Sequence, residues 1–281
     1  MYKIELDKVK CRTCGTECLT SIRHCPTCDE DLGYPNVRFA EHEQKYLHEK
    51  YDYKVGSLSS EESAKLVKLE TCIESNSKVV VAVPEIQAKV FLQDSRNLYS
   101  NYESQVQSGG RVPAPYHDDT IRMAIAGKLF GHSANMIKYG VLSLSNESLH
   151  NYGNVFFTLK NVSIEKRVSF LIDNSYHFAE NHDGKLIEPL PVGYRAHWGN
   201  KEKLVIYKLF DTLKPNFHND DCMQQLVCQG EDRGKDCCIE AHIFGNFNID
   251  SVETIKFSPK IRRKEKRILQ ALAEKRNIKV A

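Results

Sequence analysis

Cys237-Cys238-Ile239-Glu240-Ala241-His242-Ile243-Phe244 reads as a β-strand with a carboxylate at its middle. Successive side chains of a strand point to opposite faces, so Ile239, Ala241 and Ile243 fall on one side and Cys238, Glu240 and His242 on the other. The apolar side seats the strand on a core. The reverse side can present Glu240 to a cleft, although a solvent-facing glutamate is the commoner use of such a position. Working outward, Val79-Val80-Val81-Ala82-Val83, stopped by Pro84, is a β-branched run suited to a buried strand. Further strands are predicted at Tyr139–Leu144, Gly153–Leu159, Arg167–Ile172 and Leu204–Tyr207. Helical spacing is seen in EIQAKVFLQD after Pro84, in TIRMAIAGKLFGH, and in the closing KIRRKEKRILQALAEKRNIKV. Strands and helices do not alternate regularly, which argues for an α+β fold and against a doubly wound parallel sheet.

The N-terminal segment follows a different logic. Cys11-Arg-Thr-Cys14 and Cys25-Pro-Thr-Cys28 are two CxxC pairs separated by ten residues, in a stretch with almost no large apolar side chains. Such a segment cannot fold by burial alone. Two CxxC turns complete a tetrahedral four-thiolate zinc site, and metal binding supplies the missing folding free energy. Cys11, Cys14, Cys25 and Cys28 are the predicted ligands, with Cys18 and His24 near enough to replace one of them. A closed four-sulfur site has no open coordination position, so its expected role is structure or recognition. The later group of His218, Asp220, Cys222, Cys228, Cys237, Cys238 and His242 fits no zinc spacing and reads as buried thiols.

The chain has 281 residues, ten cysteines, a formal charge of +2, 41% hydrophobic and 27% charged residues, a globular composition with room for one large and one small unit. Ten cysteines without a secretion signal read as metal ligands or thiols, and the expected location is cytoplasmic, with no membrane partner. The near-neutral charge excludes a molecule that is basic throughout, so any nucleic-acid contact must come from a local cluster. One stands at the end: Lys256, Lys260, Arg262, Arg263, Lys264, Lys266, Arg267, Lys275, Arg276 and Lys279 against Glu265 and Glu274. The predicted organisation is a zinc ribbon at 1–34, a helical connector at 35–76 opening its second helix at Ser59-Ser60-Glu61-Glu62, a main domain at 77–258 and a basic helix at 259–281. The polar stretch SNYESQVQSGGRVPAPYHDD, broken by Gly109, Gly110, Pro113 and Pro115, is a long loop of the kind that is usually functional.

Between Val79 and Ile255 the chain resembles the toxin-type ADP-ribosyltransferases of bacterial polymorphic toxins and phage-associated systems. The matching pieces keep the family's order: QDSRNLYSNYESQVQSGG, LFGHSANMIKYGVLSLS, NYGNVFFTLKNVSIEKRVSFLIDNS and IEAHIFGNFNIDSVETI. The resemblance implies an α+β, ADP-ribosyltransferase-like split β-sheet that binds NAD. It also implies a catalytic Glu240, since a fixed carboxylate stabilises the positive charge that grows on ribose as the nicotinamide bond breaks. Implied NAD-binding residues are Arg96, Tyr102, Ser104, Ser108, Tyr139, Tyr152, Gly153 and Arg167. Two positions depart from the family: Cys238 stands where a second Glu or Gln precedes the catalytic one, and Val81-Ala82-Val83 stands where the first strand has Arg or His. The first departure argues for an acceptor other than arginine. The second leaves Arg96 and Arg111 as the nearest substitutes for the anchor.

Two functional expectations follow. One is a toxin or anti-phage defence effector that transfers ADP-ribose from NAD to nucleic acid, RNA in preference to DNA, with a neutralising antitoxin protein as partner. The other is a non-catalytic zinc-ribbon protein that binds nucleic acid or assists assembly on a degenerate transferase-like scaffold. No phosphate-binding GxxxxGK[ST], GxGxxG, HExxH or GxSxG motif occurs.

Overall fold

The computed structural model describes residues 8–101, 106, 116–179 and 187–281. In the ribbon, β1 (Lys8–Lys10) pairs antiparallel with β2 (Glu17–Leu19). The body runs α1 (Pro35–Val55), α2 (Ser60–Asn76), β3 (Lys78–Val83), α3 (Glu85–Gln93), α4 (Tyr116–Phe130), β4 (Ile137–Ser143), β5 (Val155–Leu159), α5 (Asn161–Ile164), β6 (Val168–Leu171) and α6 (Ser175–Ala179). It continues with β7 (Arg195–His197), α7 (Lys201–Leu213), α8 (Asn219–Leu226), β8 (Val227–Cys228), β9 (Cys237–Cys238), β10 (Glu240–Phe244), β11 (Val252–Phe257), α9 (Arg263–Lys275) and β12 (Lys279–Val280). This is the α+β class expected.

Eight strands form one mixed sheet in the order β12-β11-β5-β3-β4-β10-β6-β7, with the β11–β12 pair parallel. A single hydrogen-bonded sheet therefore takes the place of two separate ones, but it is forked. β3 pairs with β4 only through Lys78, Val79 and Val80, after which Val81, Ala82 and Val83 pair with β5 alone. The two strands part beyond the Val80–Val141 pair, and the gap is where the cleft described below opens.

Alternation assigns the two faces of the sheet. Val79, Val81 and Val83 of β3, Phe157 of β5 and Ala241 and Ile243 of β10 pack with Ile239 into the main core. That core is covered by Leu47 and Tyr51 of α1, Leu66, Leu69 and Ile73 of α2, and Leu204, Val205 and Leu209 of α7. The segment 35–76 thus does more than connect: its helices are one wall of the body. α2 begins as its sequence predicts, with Glu62 N–H donating to Ser59 Oγ and Ser59 N–H to the Glu62 carboxylate. The C-terminal helix α9 also docks through Leu269 and Ala273.

Leu204–Tyr207 corrects the sequence reading, because it lies inside helix α7 rather than in a strand. A short apolar run does not distinguish a strand from a buried helical segment. Here Leu204, Val205, Leu209 and Leu213 fall on the buried side of a helix whose other residues include Lys203 and Asp211.

The ribbon is fixed to the body by Arg38 of α1, whose guanidinium donates to the carbonyls of Leu32 and Thr20, each at 2.8 Å, and to that of Ile22. Ser133 Oγ donates to Ser21 O on the other side. No helix among the described residues is long and apolar enough to cross a membrane.

Candidate active site and metal centre

The fork between β3 and β4 opens into a cleft of about 460 Å³ on the sheet face opposite the main core. Ala82 and Pro84 stand on one side and Tyr139, Gly140 and Val141 on the other, with Glu240 and Cys238 on the floor. Asn174, Ser175 and Tyr176, which follow β6, and Arg233 and Gly234, from the loop between β8 and β9, close the remaining sides with Tyr152 and Arg122. Gly140 is required where it stands, since a β-carbon there would meet Val80 O at 2.9 Å.

Glu240 is the chemically distinctive group. Its side chain is directed into the cleft but is only 7% exposed, and both carboxylate oxygens are held. Oε2 accepts the Ser175 N–H at 2.6 Å, and Oε1 lies 3.0 Å from His242 Nε2. His242 is in turn fixed edge-on by the rings of Phe130 and Tyr139, with centroids 4.7 and 5.5 Å away. A buried carboxylate with fixed hydrogen bonds on both oxygens and an open side toward a cleft is pre-organised to face developing positive charge.

The surrounding groups suit a flat, anionic ligand. The Tyr152 hydroxyl accepts from Asn174 Nδ2 at 3.1 Å, and burial with the nearby Glu240 charge pushes its ionisation above the usual phenol range. The Arg233 guanidinium stands 5.1 Å from the Tyr152 ring centroid and donates from Nε to Asn151 O. Behind the floor, Lys208 of α7 donates to the carbonyls of Ile172 and Cys238, both at 2.7 Å, and pairs with Asp173 at 3.3 Å.

Of the residues singled out in the sequence, Glu240, Tyr139 and Tyr152 meet in this cleft. Arg96 does not line it; its guanidinium is exposed and held bidentate by Asp94. Nor does Arg167, which is half-buried and donates to the carbonyls of Ser163, Phe244 and Asn246. Gly153 is a packing requirement instead of a ligand contact, because a β-carbon there would stand 2.2 Å from the carbonyl carbon of Val83. Tyr102, Ser104, Ser108 and Arg111 lie outside the described residues. Sequence reasoning missed Asn174, Ser175, Arg122 and Arg233. Asn174-Ser175 had a local signal, an Asx turn in which Asn174 Oδ1 accepts the Tyr176 N–H.

The four cysteines predicted as ligands come together in one group that could hold a metal ion. The sulfurs of Cys11, Cys14, Cys25 and Cys28 all lie within 4.8 Å of one another, with Cys11–Cys28 at 3.5 Å and Cys14–Cys25 at 3.6 Å. Four sulfurs at about 2.3 Å from a zinc ion stand about 3.8 Å apart, so the set fits that ion. Cys18 is buried beside it, its Sγ 3.7 Å from that of Cys25. Among the described residues the later cysteines and histidines form no such group. Cys222 and Cys238 are buried thiols, the first pushed up to about 12 by burial and the second well above the usual range by the same cause.

Compared with known protein families and with curated proteins, the chain matches no family model and no curated sequence.

Proposed function

We propose that the chain is an ADP-ribosyltransferase that takes ADP-ribose from NAD, with Glu240 at the reaction centre. The observation that carries this reading is a buried carboxylate, held on both oxygens, at the floor of a cleft in the fork of the sheet. Nicotinamide leaves ribose with positive charge growing on the sugar, and a carboxylate that is already oriented stabilises that charge without reorganising. Tyr139 and Tyr152 offer ring faces to nicotinamide or adenine. Arg122 and Arg233, on opposite chain segments of the cleft wall, are the cations suited to the pyrophosphate. They stand in for the first-strand anchor, whose place on β3 is taken by Ala82.

Nucleic acid is the favoured acceptor, RNA before DNA, and a toxin or defence effector with a neutralising protein partner is the setting that the family resemblance suggests. Of the C-terminal cations, Lys260 lies on the cleft side: Ser258 N–H bonds Asn154 O, and the Lys260 charge reaches His150, in the loop that leads to Tyr152, whereas α9 itself docks on the main core. The Cys11, Cys14, Cys25 and Cys28 thiolates hold zinc as a closed structural site, and the ion supplies folding stability to the ribbon.

Incubation of the chain with labelled NAD and separate RNA, DNA and protein pools tests this. Label transfer to nucleic acid that disappears in Glu240→Ala supports it. A zinc-loaded, folded preparation that neither transfers label nor hydrolyses NAD refutes it and leaves the non-catalytic binding scaffold, which Ala82 at the anchor position favours.

A further inference from the structure

The loop that carries Arg233 and Gly234 into the cleft wall is closed at its base by two cysteines that face each other. β8 and β9 pair antiparallel, with Val227 opposite Cys238 and Cys228 opposite Cys237. Directly opposite residues of such a pair have Cα atoms about 4.5–5.5 Å apart and project their side chains to the same face. That separation lies inside the window of about 4.4–6.8 Å that a disulfide spans without backbone movement. Both are free thiols, Cys228 exposed and Cys237 partly so, and an oxidant in solution can reach them. Cys228 Sγ rests against Gln225 O at 3.2 Å, a weak contact that rotation about its Cα–Cβ bond releases. The neighbouring Cys238 is on the opposite face of the ribbon and is buried, and the four N-terminal thiols are turned toward one another.

We propose that Cys228 and Cys237 are a modification site, a dithiol that closes reversibly into a cross-strand disulfide in reaction with a peroxide or a small-molecule disulfide. With hydrogen peroxide, the O–O bond and two S–H bonds break and one S–S bond forms. The two thiols give up two electrons and two protons, and two water molecules leave. With a disulfide oxidant, one thiolate forms a mixed disulfide, the second displaces it, and two equivalents of the oxidant's thiol depart.

The bond closes the eight-residue loop Gln229–Asp236, which is already folded on its own carboxylate. Asp236 is fully buried and accepts from Gly230 N at 2.8 Å, Gln229 Nε2 at 2.9 Å and Asn151 Nδ2 at 3.1 Å. Arg233 Nε donates to Asn151 O at 3.0 Å. A covalent tie at 228–237 removes opening at the base, so the guanidinium beside Tyr152 stays in place. The proposal concerns the loop itself and stands whether or not the cleft takes NAD.

The test uses the zinc-loaded full chain treated with limiting peroxide or oxidised glutathione, followed by alkylation, digestion and mass spectrometry. The expected result is a Cys228–Cys237 cross-linked peptide, 2 Da lighter than the two thiols. It should form before Cys72 or Cys222 is oxidised, return to thiols with dithiothreitol, and slow amide exchange over 229–236 by about tenfold. Cys228→Ser, an exposed change, should abolish the 2 Da loss and leave Cys237 open to alkylation. Separate sulfinic acids at the two positions, zinc loss ahead of the cross-link, or persistence of the 2 Da loss in Cys228→Ser would each overturn the assignment.

Discussion

Nε2 of His242 lies 3.0 Å from Oε1 of Glu240, two residues away on the same face of β10, and both side chains are buried. With the proton on Nε2, the imidazole donates to this oxygen and fixes the plane of the carboxylate. Glu240→Gln keeps the shape and removes the charge, and NAD cleavage should fall by about 10²–10³-fold with the melting temperature little changed. His242→Ala removes one hydrogen bond to a charged group and should lower kcat by about 10–100-fold while leaving KM close to its original value. His242→Gln, which retains a donor, should recover most of that loss. Steady-state kinetics on the three variants checks the order.

Arg233 should act on binding and not on bond cleavage. Arg233→Ala removes a cation from the wall without touching Glu240, and KM for NAD should rise by about tenfold or more, with kcat changing less. Equal loss in both constants would assign the arginine to the transition state.

Metal content is expected at one zinc ion per chain. Removal by a chelator, or Cys14→Ser, should abolish amide protection over 8–33, because zinc binding contributes on the order of 10 kcal/mol to folding in such modules. Protection in β3, β5 and β10, which rest on the hydrophobic core, should persist.

Arg38→Met should loosen the ribbon from the body even with zinc in place. Three carbonyls lose their donor, and each unsatisfied buried group costs about 1–3 kcal/mol. The check is limited proteolysis near Gly33-Tyr34, which should become the first site of cutting.

Reversal of two exposed tail charges, Lys264→Glu with Arg267→Glu, should weaken RNA binding and lower the salt slope of log K by about 2. A slope that stays constant would remove α9 from the nucleic-acid surface.

Much of this was legible because the relevant signals are local. The CxxC spacing, the reciprocal Ser59–Glu62 cap and the alternation that separates Glu240 from Ile239 and Ala241 each depend on residues within a few positions of one another. The cleft was not legible, because its lining comes from eight separate segments of the chain brought together by the fold. Nothing in the run VVVAVP says that β3 leaves β4 at Val80, and that divergence makes the cavity. Arg233 was passed over for a related reason: in the sequence it is one cation in GEDRGKD, and only the hairpin base and the buried Asp236 aim it inward. Arg167 illustrates the opposite error, a strand-leading arginine whose guanidinium is engaged by three backbone carbonyls.

Lys208 gives the cleft a connection through the sheet. Its ammonium comes from a helix on the far side, yet it grips the carbonyls of Cys238, just before β10, and Ile172, at the end of the neighbouring β6. These two bonds tie α7 to the β10 and β6 ends of the floor together. Lys208→Met is the substitution that would sever the helix from both carbonyls while leaving Glu240 and its two hydrogen-bond partners untouched.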